Sequence, residues 1–319
     1  MNTESSAPVD ESDAAIAERI LDVSRRIAPY VRRTPLIDSP GGARLKLESL
    51  QPTGSFKVRG FFAAALALDR TRVREGITTV SAGNAALACA YVARALGLAC
   101  RVVMHESAPN LKVEGVRSLG GEIRLMPREQ LNAWIGERGW EGEPGTFIHP
   151  FADPMVIAGH GSIALEVVDQ WPEVRRIVVP VGGGGLVSGI ALALGTTRPD
   201  ITVVGVQSDG YALWSRAFAE GGRVSLQPHT IADGTTAPFD TRMFERLRRH
   251  VAEWIVVPES EVRASVARLA SECRLVVEGA GALSYAALRE RPAQPTAAVV
   301  SGGNIDVERL ATLLTETRE

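Results

Sequence analysis

A chain of 319 residues with 45% hydrophobic and 23% charged residues is long enough for one or two buried cores. Its formal net charge of -2 gives no electrostatic case for nucleic acid or an anionic membrane surface as partner. No apolar run reaches the roughly 18 residues needed to cross a bilayer.

Residues 1–13 read as a disordered tail, because Met1 to Ser12 is rich in Ser, Asp and Glu and lacks the apolar stretch of a secretory signal. An amphipathic period then predicts a helix from Ala14 to Ile27, and Leu45 to Leu47 a short strand with apolar alternation. A Pro-Thr-Gly-Ser turn leads into a helix from Phe56 onward. Strands and helices then alternate: Ile77 to Val80, a helix from Asn84 to Leu96 closed by Gly97, a strand from Ala99 to Met104, and a helix from Asn110 to Leu119. Glu122 to Met126 and a helix from Glu129 to Gly136 complete this first series. A second series has a helix from Gly161 to Gln170, the strand Arg176 to Val181, a helix from Leu186 to Leu194, the strand Ile201 to Val206 and a helix from Tyr211 to Ala219. A loop-rich stretch covers Gly221 to Thr241. The strand Val251 to Val257, helices from Ser260 to Glu272 and Ala280 to Leu288, and the strand Ala297 to Val300 close it. This alternation predicts an α/β fold of two open parallel sheets with a cleft between them. The cysteines Cys89, Cys100 and Cys273 sit in apolar contexts without CxxC spacing, which fits free thiols in a cytoplasmic protein.

Three features carry chemistry. Lys57 falls in the first turn of its helix, where the open N–H groups and the positive end of the dipole disfavour an ammonium. Burial lowers a lysine pKa further, and a neutral amine attacks carbonyls. Taken locally, the sequence favours a solvated helix-start lysine. The run Gly182, Gly183, Gly184, Gly185 and Leu186 links a strand to a helix, so backbone N–H groups can converge on one anion. It lacks the Lys-Ser/Thr of a nucleoside-triphosphate loop and the spacing of a dinucleotide site, which points to a monophosphate held by backbone alone. Finally, Ser81-Ala82-Gly83-Asn84 and Ser301-Gly302-Gly303-Asn304 each follow a strand, where ligands bind in open α/β sheets, although turn chemistry alone selects such residues too.

Together with Lys46–Gly60, residues 154–165, Thr230–Gly234 and Glu278–Gly281, these segments run in order from Thr34 to Asp306 and resemble the threonine dehydratase and serine racemase family. That family comprises fold type II enzymes dependent on pyridoxal 5'-phosphate. The resemblance implies that Lys57 holds the cofactor as an imine and, once freed, moves the substrate α-proton. It implies that Phe56 packs on the cofactor ring with Gly234 on the other face. Asn84 would bond the phenolic oxygen, residues 182–186 the phosphate, and Ser301 the pyridine nitrogen. Glu278 would lie near the ring edge. Ser81, Ala82, Gly83, Asn84 and Ala85 would receive the substrate carboxylate. The implied reaction is β-elimination of an L-β-hydroxy amino acid such as threonine or serine to a 2-oxo acid and ammonia. The implied partners are that small substrate and a second copy of the chain in a homodimer. The implied layout is a large cofactor domain, residues 14–69 with 155–319, and a small mobile domain, residues 70–154.

The chain departs from the family pattern in four places. Ala85-Ala86-Leu87 replaces the usual His-Ala-Gln, which is either drift or a pocket changed for a bulkier substrate such as hydroxyaspartate or phenylserine. Ala82 replaces the second serine that serves racemases as a base, so little racemisation is expected. Gln207 and Leu213 stand where cation-binding members carry carboxylates, so no structural Mg2+ or Ca2+ is expected there. His160 stands where glutamine is common and reads as a satisfied structural histidine. No regulatory domain is expected beyond the Ser301 turn. A racemase and a cofactor-binding protein without turnover stand as alternatives.

Overall fold

The computed structural model describes residues 11–69, 75–108, 110–288 and 292–316. In chain order the first elements are α1 (Asp13–Ile27), β1 (Leu36–Asp38), β2 (Arg44–Leu47), α2 (Lys57–Ala67), β3 (Ile77–Val80) and α3 (Asn84–Leu96). Next come β4 (Cys100–His105), α4 (Asn110–Ser118), β5 (Glu122–Met126), α5 (Arg128–Gly136) and β6 (Thr146–Phe147). Then follow α6 (Pro154–Gln170), β7 (Arg176–Pro180), α7 (Gly185–Thr197), β8 (Thr202–Ser208) and α8 (Leu213–Glu220). The last are α9 (Thr241–His250), β9 (Glu253–Val257), α10 (Glu259–Cys273), α11 (Gly279–Ala286), β10 (Thr296–Val300) and α12 (Val307–Glu316).

The strands form two sheets, a six-stranded one in the order β1-β2-β10-β7-β8-β9 and a four-stranded one in the order β5-β4-β3-β6. Pairing is parallel except at one edge, where β1 runs antiparallel to β2 with Leu36 opposite Lys46. The central strands of the large sheet are buried on both sides, which explains their near-continuous Val, Ile and Ala content. Ile177, Val179, Ala297 and Val299 join the core under α1, α2, α6 and α7. Val178, Val204, Ala298 and Val300 point the other way, toward α10 and α11.

Several elements differ from the sequence expectation. Helix α6 begins at Pro154, seven residues before Gly161, with the Asp153 side chain accepting from the amides of Met155 and Val156. Gly159 and Gly161 look like breakers but are close-packing points: a Cβ at Gly159 would lie 2.8 Å from Gly60 Cα, and one at Gly161 would lie 2.9 Å from the Gly189 carbonyl oxygen. Helices α9 and α12 and the short strands β1 and β6 were not anticipated. Residues 1–10 of the expected tail lie outside the described residues. Ser12 caps α1, and Asp13 pairs with Arg246, Arg249 and His250 of α9.

A buried charge cluster anchors the start of α2. The alternation in β2 puts Lys46 on the face opposite Leu45 and Leu47, yet Lys46 and Glu48 are both wholly buried. Arg59 bonds Glu48 at 2.8 Å and Glu166 at 2.7 Å, while Lys46 bonds Glu166 at 2.6 Å and the Thr34 carbonyl at 2.7 Å. Burial pushes the Glu48 carboxyl up, but the Arg59 guanidinium outweighs it and holds Glu48 below the usual range. Each buried charge is thus compensated. Removing one partner is expected to be costly: Glu48→Ala should lower unfolding free energy by about 3–5 kcal/mol. A urea titration followed by circular dichroism checks this, and a loss below about 1 kcal/mol would contradict it.

Candidate active site

The chain places its conspicuous motifs at the carboxyl ends of strands. The loop 81–84 follows β3, the glycine run follows β7 and the Ser301 turn follows β10. These ends converge on one cavity of about 650 Å³ between the two sheets. Its wall takes in residues 56–57, 81–85 and 182–186 together with Gly234, Glu278 and Ser301, so every site residue expected from the sequence lies on it.

Lys57 is the first residue of α2, and backbone contacts hold its segment to the Ser301 turn. Phe56 N donates to Ser301 O at 3.1 Å and Gly303 N to Gly54 O at 2.8 Å. The Lys57 amine donates to the Pro150 carbonyl at 2.8 Å and lies 5.0 Å from the centroid of the Phe56 ring. Burial pushes its pKa down to about 8, with no acid facing it to restore the charge.

The glycines of the run are required for separate reasons. A Cβ on Gly182 would lie 2.8 Å from Thr235 Cα. One on Gly183 would overlap the Phe151 ring and one on Gly185 the Phe151 carbonyl oxygen. Gly184 has φ 91°, a left-handed conformation that side chains avoid. No side chain caps α7, and none caps α3, whose N-cap is Gly83. Two open helix starts, each attractive to an anion, therefore face the same cavity.

Asn84 joins the two sheets. Its Nδ2 donates to Glu278 Oε1 at 2.5 Å, and its Oδ1 accepts from Asn304 Nδ2 at 2.8 Å. Asn304 also donates to the Thr53 carbonyl at 2.8 Å, so the amide of Asn84 has a fixed orientation. Burial pushes Glu278 up to about 7, while Lys112, with Nζ 3.9 Å from Glu278 Oε2, pulls it back. Ser301 is buried, and its hydroxyl donates to the Ala280 carbonyl at 3.2 Å.

Some wall residues had no sequence signal. His149, Pro150 and Phe151 follow a two-residue strand that no periodicity reveals. His149 accepts from the amides of Phe151 and Ala152, and desolvation in its half-buried position lowers its pKa to about 4 and keeps it neutral. Asn304 belongs to a turn singled out in the sequence, but its tie to Asn84 emerges only in three dimensions. Lys112, within the helix expected from Asn110 to Leu119, and Arg128, just before the one expected from Glu129, carried no site signal in the sequence and also line the cavity.

Two expectations need correction. His160 is buried, but neither ring nitrogen has a hydrogen-bond partner, so it is not satisfied. It packs edge-on to Phe56 at 4.7 Å, and burial holds it well below the usual imidazole range. Leu87 packs against Gly115 of α4, outside the cavity wall, so of the departures at Ala85 and Leu87 only Ala85 touches the pocket. Gln207 accepts from the amides of Trp214 and Ser215, and so caps the start of α8. Among the described residues no group of three His, Cys, Asp or Glu could hold a metal, and no helix is long and apolar enough to cross a membrane.

Comparison with known proteins points the same way. An L-threonine ammonia-lyase of Thermotoga maritima is 36% identical over 308 residues, covering 92% of this chain and 76% of its own length. A beta-hydroxyaspartate dehydratase of Paracoccus denitrificans is 33% identical over 311 residues, covering 92% of this chain and 97% of its own length. The structure of maize serine racemase superposes with a TM-score of 0.87 at 31% identity, covering 95% of this chain and 97% of the other. Residues 27–302, which hold the lysine, both open helix starts and the Ser301 turn, match the family described as pyridoxal-phosphate dependent enzyme, and this chain belongs to that family.

Proposed function

We propose that the chain catalyses β-elimination from an L-β-hydroxy amino acid, releasing a 2-oxo acid and ammonia. The observation that carries this reading is a lysine with its pKa lowered to about 8, in one cavity with two open helix starts. The cavity fits pyridoxal 5'-phosphate: the glycine run brings the uncapped start of α7 to the cavity wall, where a phosphate would meet free amides, and Lys57 offers the amine an aldehyde requires. Bound there, the cofactor supplies an electron sink for the pair left when the substrate α C–H bond breaks.

The remaining chemistry belongs to this chain. Lys57 anchors the cofactor and then accepts the α-proton at Nζ. The amides of residues 183–186 hold the phosphate at the start of α7, and those of the 81–85 loop hold the substrate carboxylate at the start of α3. Asn84, fixed by Asn304 and Glu278, orients the phenolic oxygen. Phe56 and Gly234, both on the cavity wall, would flank the ring. Ser301 would stand at the pyridine nitrogen with a hydroxyl, which, unlike a carboxylate, would not keep that nitrogen protonated. Such a site would suit β-elimination better than transamination. The eliminated product hydrolyses in water to the 2-oxo acid and ammonia. Ala82 offers no base on the opposite ring face, so D-enantiomer formation should be at least tenfold slower than elimination, roughly, as general base catalysis contributes about 100-fold or more. Chiral chromatography of the residual substrate checks this.

The four-stranded sheet and its helices serve as a small domain that moves against the large one. The family resemblance supports a homodimer, and the free thiols support a cytoplasmic setting. The test is 2-oxo acid release from L-threonine and L-serine by cofactor-loaded protein, and no release from any β-hydroxy amino acid would refute the reading. A second expectation follows from the lowered pKa. Capture of pyridoxal 5'-phosphate by cofactor-free protein should accelerate as pH rises through about 8, because the neutral amine accumulates there. Borohydride trapping and peptide mapping of Lys57 measure this, and a midpoint near an ordinary lysine value would contradict it.

A further inference from the structure

The positive charges of the cavity exceed what the reaction uses. The basic wall residues are Lys57, His105, Lys112, Arg128 and His149, and the acidic ones are Asp233 and Glu278. Lys57 is committed to the cofactor. His149 is held neutral by burial, and burial with the nearby Arg128 charge also lowers His105. The phosphate and the substrate carboxylate have the two open helix starts. Lys112 and Arg128 remain. Lys112 is buried on α4 and reaches Glu278 only at 3.9 Å. Arg128, the first residue of α5, forms no ion pair among the described residues. Both lie on helices that follow strands of the four-stranded sheet, and both line the same cavity as the 81–85 loop, where Ala85 carries only a methyl group.

We propose that Arg128, assisted by Lys112, binds a second carboxylate on the substrate β-carbon, so that the preferred substrate class is a 3-hydroxy-2-amino dicarboxylic acid of the hydroxyaspartate type. A guanidinium with no internal partner suits a planar, bidentate acceptor. The β-carboxylate is unchanged by elimination: the α C–H and β C–O bonds break, water leaves, and hydrolysis gives a 2-oxo dicarboxylate and ammonia. This inference deepens the elimination reading and rests on it.

The experiment compares kcat/KM for the isomers of 3-hydroxyaspartate, L-threonine, L-serine and phenylserine in wild type, Arg128→Leu and Arg128→Lys, all loaded with cofactor. At least one isomer of hydroxyaspartate should be preferred over threonine by wild type. The hydroxyaspartate-to-threonine ratio should fall roughly tenfold to a hundredfold in Arg128→Leu through KM, and be partly restored in Arg128→Lys. Arg128 is exposed at a helix start, so loss of folding does not confuse the result. A wild-type preference for threonine, serine or phenylserine, or a ratio unchanged in Arg128→Leu, overturns the inference while leaving elimination intact. Absence of elimination from every substrate overturns the underlying reading instead.

Discussion

Lys57→Ala is expected to lower kcat for 2-oxo acid release by about 10⁴-fold or more while leaving the fold intact. The size follows from the double use of one amine. It is the covalent anchor and the acceptor of the α-proton, and proton transfer by a positioned group alone contributes roughly 10²–10⁴-fold. The fold should survive because the amine contributes little to it. Among the described residues its one hydrogen bond is to the Pro150 carbonyl, and its burial disfavours the ammonium. The neighbouring charge cluster of Glu48, Arg59 and Glu166 fixes α2 without it. Cofactor should still associate, more weakly, through the glycine run and the Asn84 network. Steady-state kinetics, thermal unfolding and cofactor titration on the same preparation separate these effects. Turnover within tenfold of wild type would remove Lys57 from the mechanism.

The residues that could be read from the sequence are those whose local chemistry has one reason to exist. Gly97, with φ 68°, closes α3 where the sequence places it. The strand-glycine-helix run at residues 180–186 announces an anion site because four residues without Cβ have few other uses. Lys57 required more, since a helix-start lysine is common and only its neighbours in space give it a purpose. What the sequence concealed depends on tertiary contact. Lys46 and Glu48 alternate with leucines as surface residues do, yet partners from α2 and α6, distant in the chain, make their burial tolerable. Gly159 and Gly161 resemble helix breakers until α2 and α7 pack against them. Helix α9 has only Met243, Phe244 and Leu247 as its apolar face among many charges, although Asp240 caps it in the expected manner. The wall formed by residues 149–151 has no motif at all. Its backbone carbonyls do the work, and a carbonyl has no sequence signature.

Gly185→Ala should weaken cofactor binding by roughly 100-fold or more, a loss equivalent to about 2.7 kcal/mol or more. The Cβ would overlap the carbonyl oxygen of Phe151, which is backbone and cannot rotate away. That backbone is itself held: the amides of Phe151 and Ala152 donate to His149, and Asp153 next to them caps α6. The strain must therefore be relieved by moving the glycine run, and a shift there turns the amides of residues 183–186 away from the phosphate. Overpacking at such a site costs about 1–3 kcal/mol of stability, so the variant should fold and fail mainly in binding. Gly195→Ala provides the control. It lies in the same helix, α7, with open space around the position of a Cβ. There alanine removes backbone entropy from the unfolded chain and should stabilise by about 0.5–1 kcal/mol without touching affinity. Fluorescence titration of cofactor into both variants decides the matter. Equal affinities for wild type and Gly185→Ala would show that the run is a packing device for Phe151 rather than a phosphate cradle.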